Sequence, residues 1–457
     1  MTKHADQFYT LHVVALSGTE VACLRVPSSS SVAYVKQLVM RQGCVKIYSV
    51  SSFALAWHTQ VLADLARLKD LDLPEDATIQ FVRLPQENIA AILRVRPRSA
   101  REDDKSALSV DTARSTAILT QDFPGGRACE REILLDGAYP VGSSQHDVFE
   151  GSVRGMVASV LEGYNATVVI HGIPGSGKMH TMIGGGDARN AISRGDVSVV
   201  APSLEGVLPR VFDTLAADIA GNATPGASFA LRASFLEMTE GRLRDLLPDE
   251  EDPEPPALNV VQRDAGSFVV AGLQSRPVRR VRDLRQALCD GLARLSQDAL
   301  VPLEQDRSHL LFTISVEAHE ESLAGGVRVR RGTLQVVKMA GYCRSPSAGN
   351  EAFRPLANVI ACLSVARGSG EEPSVPYRGS ALTSLLRDSL GGSARTLFIA
   401  TCGPAAQDFE RSLATARFVA RARQVQNMVA VHEEVLDAET ALRSGLHAEE
   451  TWLPEQP

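Results

Sequence analysis

Lys178 closes the run Gly172, Ile173, Pro174, Gly175, Ser176, Gly177, Lys178, and those residue types at that spacing are suited to holding an anion. Glycines at a tight turn let backbone N–H groups converge on one point. A helix that follows directs its positive end there, and the lysine adds a mobile charge. The run fits the phosphate-loop pattern G-x-x-x-x-G-K with one departure: where a Ser or Thr hydroxyl would hold Mg²⁺, the chain has Met179. A thioether is a poor ligand for a hard ion that takes oxygen at short distance. The chemistry on offer is a phosphate cradle without its metal ligand.

Such a loop needs a strand to deliver it and a helix to receive it. Ala166 to Ile170 is a short apolar, β-branched run of the kind covered on both faces of a sheet. This setting disfavours the plainer reading of a glycine-rich turn. Upstream, Ile89 to Val95 reads as a second apolar strand. It ends in Arg94, Val95, Arg96 and Pro97, where proline stops the ladder and the arginines sit at the carboxyl end, the edge where α/β sheets place ligands. Further strands are predicted at Leu231 to Phe235, Leu311 to Val316, Leu334 to Val337 and Thr396 to Ala400, all six sharing one sheet. Asp147 to Glu162 reads as the helix leading into the loop strand, and Ser99 to Gly126 reads as loop.

The chain of 457 residues is long enough for two or three domains, and its formal charge of -7 gives no global basic field for nucleic acid. Seven cysteines form no C-x-x-C pair and no apolar signal segment opens the chain, so they read as reduced thiols of the cytosol or nucleus. No apolar run approaches the roughly 18 residues that span a bilayer.

The first 86 residues read as a separate unit. Leu11 to Leu16 and Val21 to Val26 flank Ser17-Gly18 as a hairpin, Val32 to Met40 is an amphipathic helix, and Ala77 to Leu84 is a closing strand. This order is similar to the ubiquitin-like β-grasp, although Val45 to Lys69 does not fit it. No Gly-Gly tail follows Leu84, so the resemblance implies no conjugation. It leaves open a protein partner for the module or a stabilising cap on the next domain. Residues 87–428 form the second predicted domain. Residues 429–457 form a short helical and acidic tail, with a helix over Val431 to Leu446 and no heptads for a coiled-coil dimer.

Leu135-Asp136, Gln145 to Phe149 and Gly163 to Met182, together with the Arg94 to Pro97 strand end, resemble the kinesin motor domain. Later segments agree in order: Gly206 to Arg210, Ser234 to Leu247, Leu258 to Leu273, Arg307-Ser308-His309, Ala340-Gly341, Leu356 to Ile360, Val375 to Arg378, Asp388 to Gly392 and Thr415 to Asn427. The resemblance spans Asn88 to about Asn427. It implies an α/β fold of the P-loop NTPase kinesin type, a central mixed β-sheet with helices on both faces, preceded by a small α+β β-grasp domain. It also implies ATP or ADP as ligand, microtubules as partner and a cytoplasmic, cytoskeletal location.

In that family, hydrolysis is mostly positioning of the γ-phosphate, its metal and a water. By resemblance, Arg94, Pro97 and His180 border the base and Gly172 to Met179 surround the phosphates. Switch I carries Asp306, Arg307 and Ser308, and switch II carries Lys338, Gly341 and Cys343. Lys338 stands where the family has a metal-organising Asp, Cys343 where it has a Glu, and Asp306 where it has a Ser. Groups that act as a unit fail together. The expectation is therefore a degenerate pseudo-motor with weak or absent Mg-ATP hydrolysis, with Asp306 paired to Lys338 where a metal bridge would be. The rivals are an active microtubule-stimulated ATPase and a non-catalytic scaffold working through the β-grasp module. The track face lacks the family's Asp and Lys around Tyr377 to Thr383, and the basic clusters Arg279, Arg280, Arg282 and Arg328, Arg330, Arg331 read as solvated surface.

Overall fold

The structure is a computed structural model. It describes residues 8–15, 20–28, 30, 32, 35, 38–39, 53–57, 60–62, 68–71, 73–83, 86–100, 102, 105–123, 127–185, 202–222, 227–239, 242–248, 257–263, 267–297, 308–321, 326–341, 353–365, 374–436 and 451–452.

Alternating apolar residues build the first sheet. β1 (Phe8–Ala15) and β2 (Glu20–Pro27) are antiparallel, while β3 (Phe53–Trp57), β4 (Gln60–Val61) and β5 (Asp76–Arg83) complete the order β2-β1-β5-β3-β4. The central pair β1 and β5 is parallel. Leu11, Val13, Leu24, Val26, Ile79 and Phe81 turn to one face, where they bury Val32, Val35 and Val39 of a helical segment. The stretch that did not fit the hairpin-helix-strand pattern supplies β3 and β4, with Leu55 and Leu62 in this core.

β6 (Gln86–Asn88) leads into β7 (Ala90–Val95). β8 (Leu108–Asp111), β9 (Thr116–Phe123) and β10 (Arg127–Leu134) then form an antiparallel meander. This corrects the reading of Ser99 to Gly126 as loop. Ala107, Leu108, Ala117, Leu119 and Ile133 face the core, while Ser109, Thr112, Arg114, Glu130 and Glu132 around them are exposed.

The large sheet gathers β11 (Gly137–Tyr139), β12 (Asn165–Gly172), β13 (Ser228–Thr239) and β14 (Arg242–Asp245). A side hairpin of β15 (Asn259–Arg263) and β16 (Ser267–Ala271) intervenes before β17 (Arg276–Val278), β18 (Ser308–Glu321), β19 (Val327–Lys338) and β20 (Arg395–Cys402). Its order is β11-β7-β20-β12-β19-β18-β13-β14, with β17 on β13, and it contains all six strands read from the sequence. β7, β20, β12 and β19 run parallel, and β18 and β13 are antiparallel. β12 is buried on both faces, as its unbroken apolar run requires.

One face packs against helices Arg154–Leu161, Val207–Asn222 and Val281–Gln297. The other packs against Arg354–Val365, Ala381–Leu385 and Phe409–Ala422. No helix among the described residues is long and apolar enough to cross a membrane.

The end of the chain departs from expectation. β21 (Gln426–Met428) pairs with β6, and β22 (Glu433–Leu436) pairs with β19, where a helix over Val431 to Leu446 was predicted. Residues 437–446 of that prediction lie outside the described residues. Beyond them, Trp452 is buried in the large core beside Phe229. Free backbone groups of β19 and its arginines offset the helical propensity of this acidic stretch.

Candidate functional site

β12 rises into the loop, and Gly175 and Gly177 take φ of 74° and 106°, a region that side-chain-bearing residues rarely adopt. The loop is tied down on two sides. Ser176 Oγ lies 2.7 Å from Thr401 Oγ1 on β20, and Thr401 Oγ1 donates to the His171 carbonyl at 3.1 Å. From β7, Arg96 Nε donates to the Gly175 carbonyl at 2.9 Å, while its guanidinium pairs with Glu102. That pair holds the Glu102 carboxyl below the usual carboxylate range. Lys178 is 3% exposed, and its Nζ donates to the carbonyls of Gly172 (2.9 Å) and Ile173 (2.8 Å) in its own loop.

The three residues expected along the base differ in setting. Pro97 and His180 are exposed. Arg94 is buried, and its Nη1 donates to Gln145 Oε1 at 2.7 Å and to Thr181 Oγ1 at 3.0 Å; burial lowers its pKa to about 10. Gln145 is positioned by a helix start that Ser144 caps through Asp147, and its Nε2 donates to the His180 carbonyl. Arg94 thus joins β7, this helix and the loop helix Lys178–Met182.

The two positions expected to handle metal share one face of the sheet. Leu334 and Val336 of β19 enter the core that contains Ile170, Leu310 and Met182, so by alternation Lys338 follows them onto that face. Lys338 is 4% exposed and in register with Ile170 on one side and Leu310 on the other. Met179 is half-buried and packs on the same core. Next along, Met339 N donates to the Ile170 carbonyl at 2.9 Å, and Ala340 N donates to His309 Nδ1 at 3.0 Å. Gly341 lies so close to the loop that a Cβ there would stand 2.8 Å from Pro174 Cγ. Ser308 opens β18, opposite Thr239. Asp306, Arg307 and Cys343 lie outside the described residues, and with them the expected Asp306–Lys338 pair.

The site suits the phosphates and not their metal. The backbone turn, Lys178 and the bracing from β7 and β20 suit a phosphate chain. A thioether and an ammonium do not suit Mg²⁺, and no group of three metal-ligating side chains is found among the described residues.

Sequence reasoning did not find Thr401, Glu102 or His171. The His171 ring is buried, stacks on Phe353 with centroids 5.0 Å apart and lies 4.8 Å from Phe418. Its pKa is lowered to about 3 by burial and by the charges of Lys178 and His309. The motif at Asp388 to Gly392 has a structural partner in buried Asn427, whose side chain accepts from Gly391 N and donates to the carbonyls of Ser389 and Ala394. The basic cluster on β19 lies at a partly exposed surface, where Arg330 and Arg331 pair with Glu317, Glu320, Glu433 and Glu434.

The family model described as the kinesin motor domain matches residues 94–425. The chain is 30% identical over 398 residues to the mouse kinesin-like protein KIF3C, covering 77% of this chain and 47% of that protein. It is 31% identical over 387 residues to the Arabidopsis thaliana kinesin-like protein KIN-5A, covering 79% of this chain and 35% of that protein. It therefore spans less than half the length of these relatives. On the match of the family model and the order of its sheet, the chain belongs to the kinesin motor-domain family.

Proposed function

We propose that this chain is a kinesin-like pseudo-motor: it binds ATP or ADP, associates with microtubules at the cytoskeleton, and hydrolyses Mg-ATP weakly or not at all. The observation that carries the reading is the contrast within one site. The phosphate turn is complete and braced, while Met179 and Lys338 occupy positions where metal handling needs oxygen. Gly175 to Lys178 would hold the phosphates, with Pro97 and His180 at the base. Losing one positioned transition-state group costs roughly 10²- to 10³-fold in rate, and several losses within one unit remove efficient turnover.

Residues 1–86 are read as a ubiquitin-like β-grasp domain that takes a protein partner, and residues 87–428 as the motor domain. What supports the first is the order β2-β1-β5-β3-β4 around a parallel central pair, with Val32, Val35 and Val39 against it.

One experiment tests the reading: ATP turnover with and without microtubules, run beside co-sedimentation. Sedimentation without stimulated turnover is expected. Stimulated turnover would establish an active motor instead, and the absence of both would leave the N-terminal module as the working part.

A further inference from the structure

We propose that His171 is a positioning residue for the phosphate turn: its ring is the wedge through which two helices on one face of the sheet hold the turn in the shape that takes phosphate. The inference rests on the nucleotide-binding reading above and deepens it.

The side chains of β12 alternate between two cores. Ala166, Val168 and Ile170 enter one, while Thr167 meets Ser389, Val169 joins the other core, and His171 turns toward Phe353 and Phe418 on that second face. His171 is the last side chain before the glycine that opens the turn. Its ring lies parallel to Phe353, with an interplanar angle of 13°, and the two phenylalanine rings are themselves 4.5 Å apart, with Phe398 6.0 Å beyond Phe418. Phe353 directly precedes the helix Arg354–Val365, where its carbonyl accepts from Ala357 N at 3.0 Å. Phe418 belongs to the helix Phe409–Ala422. One imidazole thus touches a ring from each of two helices at the point where the strand gives way to the turn.

The backbone of the same residue is part of the turn's bracing. The His171 carbonyl accepts from Thr401 Oγ1 at 3.1 Å, that oxygen lies 2.7 Å from Ser176 Oγ, and the next carbonyl, of Gly172, accepts from Lys178 Nζ at 2.9 Å. There is no slack between them: a Cβ at Gly172 would run into the Thr401 carbonyl and the Ser176 hydroxyl. A displacement of the ring therefore reaches Ser176 and Lys178 through close-packed atoms. The ring is 1% exposed, and its Nδ1 has no hydrogen-bond partner among the described residues. An unpaired buried nitrogen costs stability, so what the side chain contributes is its aromatic stack and not a hydrogen bond at Nδ1. Burial, with the charges of Lys178 and His309, keeps the ring neutral, and no second cation crowds Lys178 from below.

The test reads the whole chain in two ways: hydrogen exchange at the Ser176 amide, which donates to the Ile173 carbonyl at 3.2 Å within the turn, and calorimetric titration with ATP. His171→Ala should speed that exchange and weaken ATP binding, each by about tenfold. His171→Phe keeps the stack and removes the unpaired nitrogen, so it should retain both properties. Phe353→Ala should weaken ATP binding as well, although its ring belongs to the helix side of the stack. Combined with His171→Ala it should cost less than the product of the two single losses, because both remove one contact. Thermal unfolding separates a loosened turn from a lost fold, and Phe353→Ala, at a half-buried ring, carries the comparison if His171→Ala does not fold. A folded His171→Ala variant with wild-type exchange and affinity overturns the proposal. So does a His171→Phe variant that fails as fully as His171→Ala, which would place the role at a ring nitrogen. A wild-type chain that binds no ATP overturns the nucleotide reading, and the exchange comparison then decides by itself whether the ring holds the turn.

Discussion

Arg330 of β19 and Glu433 of β22 face each other in register, with Nε 2.8 Å from Oε2. The contact is one rung of a ladder. Arg331 pairs with Glu434 and, through its Nε, with Glu317 at 2.7 Å, while Arg330 also reaches Glu320 on β18. The residues are partly exposed, so each rung contributes about 0–1 kcal/mol and weakens with salt. Changing Glu433→Lys and Glu434→Lys together puts like charges opposite the arginines. The Arg331 amide, which donates to the His432 carbonyl, should then exchange its hydrogen faster, and the wild-type advantage should shrink at high salt. Unchanged exchange at that amide would show that backbone pairing alone holds β22.

Beyond β22, Trp452 N donates to the Phe229 carbonyl at 2.7 Å, and the side chain is 6% exposed in the large core. Trp452→Ala should cost about 3–5 kcal/mol, the range for removing a large buried aromatic. Denaturant unfolding measures it directly. A loss under about 1 kcal/mol would mean that the indole contributes little to the packing around it.

The six principal strands are legible because each is an apolar, β-rich run or alternation, which the two helical layers on the faces of the sheet cover. The phosphate turn is legible because glycine and lysine at fixed spacing have few other uses. The meander β8 to β10 is not, since its few core residues are scattered among exposed polar ones such as Ser109, Thr112, Arg114, Glu130 and Glu132, which read as loop. β22 is missed for a different reason. Its acidic residues favour helix locally, and the arginine that makes it a strand lies 103 residues earlier in the chain. The bracing of the loop by Thr401 and by the Arg96–Glu102 pair shares that limit: each joins segments whose proximity only the folded sheet creates.

The Arg96–Glu102 pair carries a pH signature. Its side chains are 20% and 5% exposed, and the hydrogen bond from Arg96 is the main reason the Glu102 pKa is depressed. A depressed carboxylate contributes stability that is present in full above its unfolded pKa of about 4.3 and is lost as pH falls through the folded value. Glu102→Gln should therefore cost about 1–3 kcal/mol at neutral pH, and its deficit against wild type should close in acid. Paired denaturant titrations at pH 7 and near pH 3 read the difference, and a deficit independent of pH would assign the loss to packing. Because Arg96 also holds the Gly175 carbonyl, the same variant should loosen the phosphate turn and weaken ATP binding.

On the pseudo-motor reading, Mg²⁺ dependence should return only when both metal positions carry oxygen. Met179 and Lys338 lie on one face of the sheet, and no group of three metal-ligating side chains occurs among the described residues. Met179→Thr alone supplies a hydroxyl but leaves the Lys338 charge in place, so Mg²⁺ should still add nothing to ATP affinity. Lys338→Asp alone removes that charge and offers a carboxylate, yet the thioether remains. The two changes together replace both obstacles, and only the pair should make ATP binding Mg²⁺-dependent, by about tenfold or more if a single ligated ion is regained. The effect should be non-additive, because each new oxygen matters only when the other is present to complete the ion's shell. Turnover should stay low even then, since Asp306 and Cys343 still replace the family's switch residues. A double variant that folds, binds ATP and shows no Mg²⁺ dependence would place the defect beyond these two side chains, in the switch segments themselves.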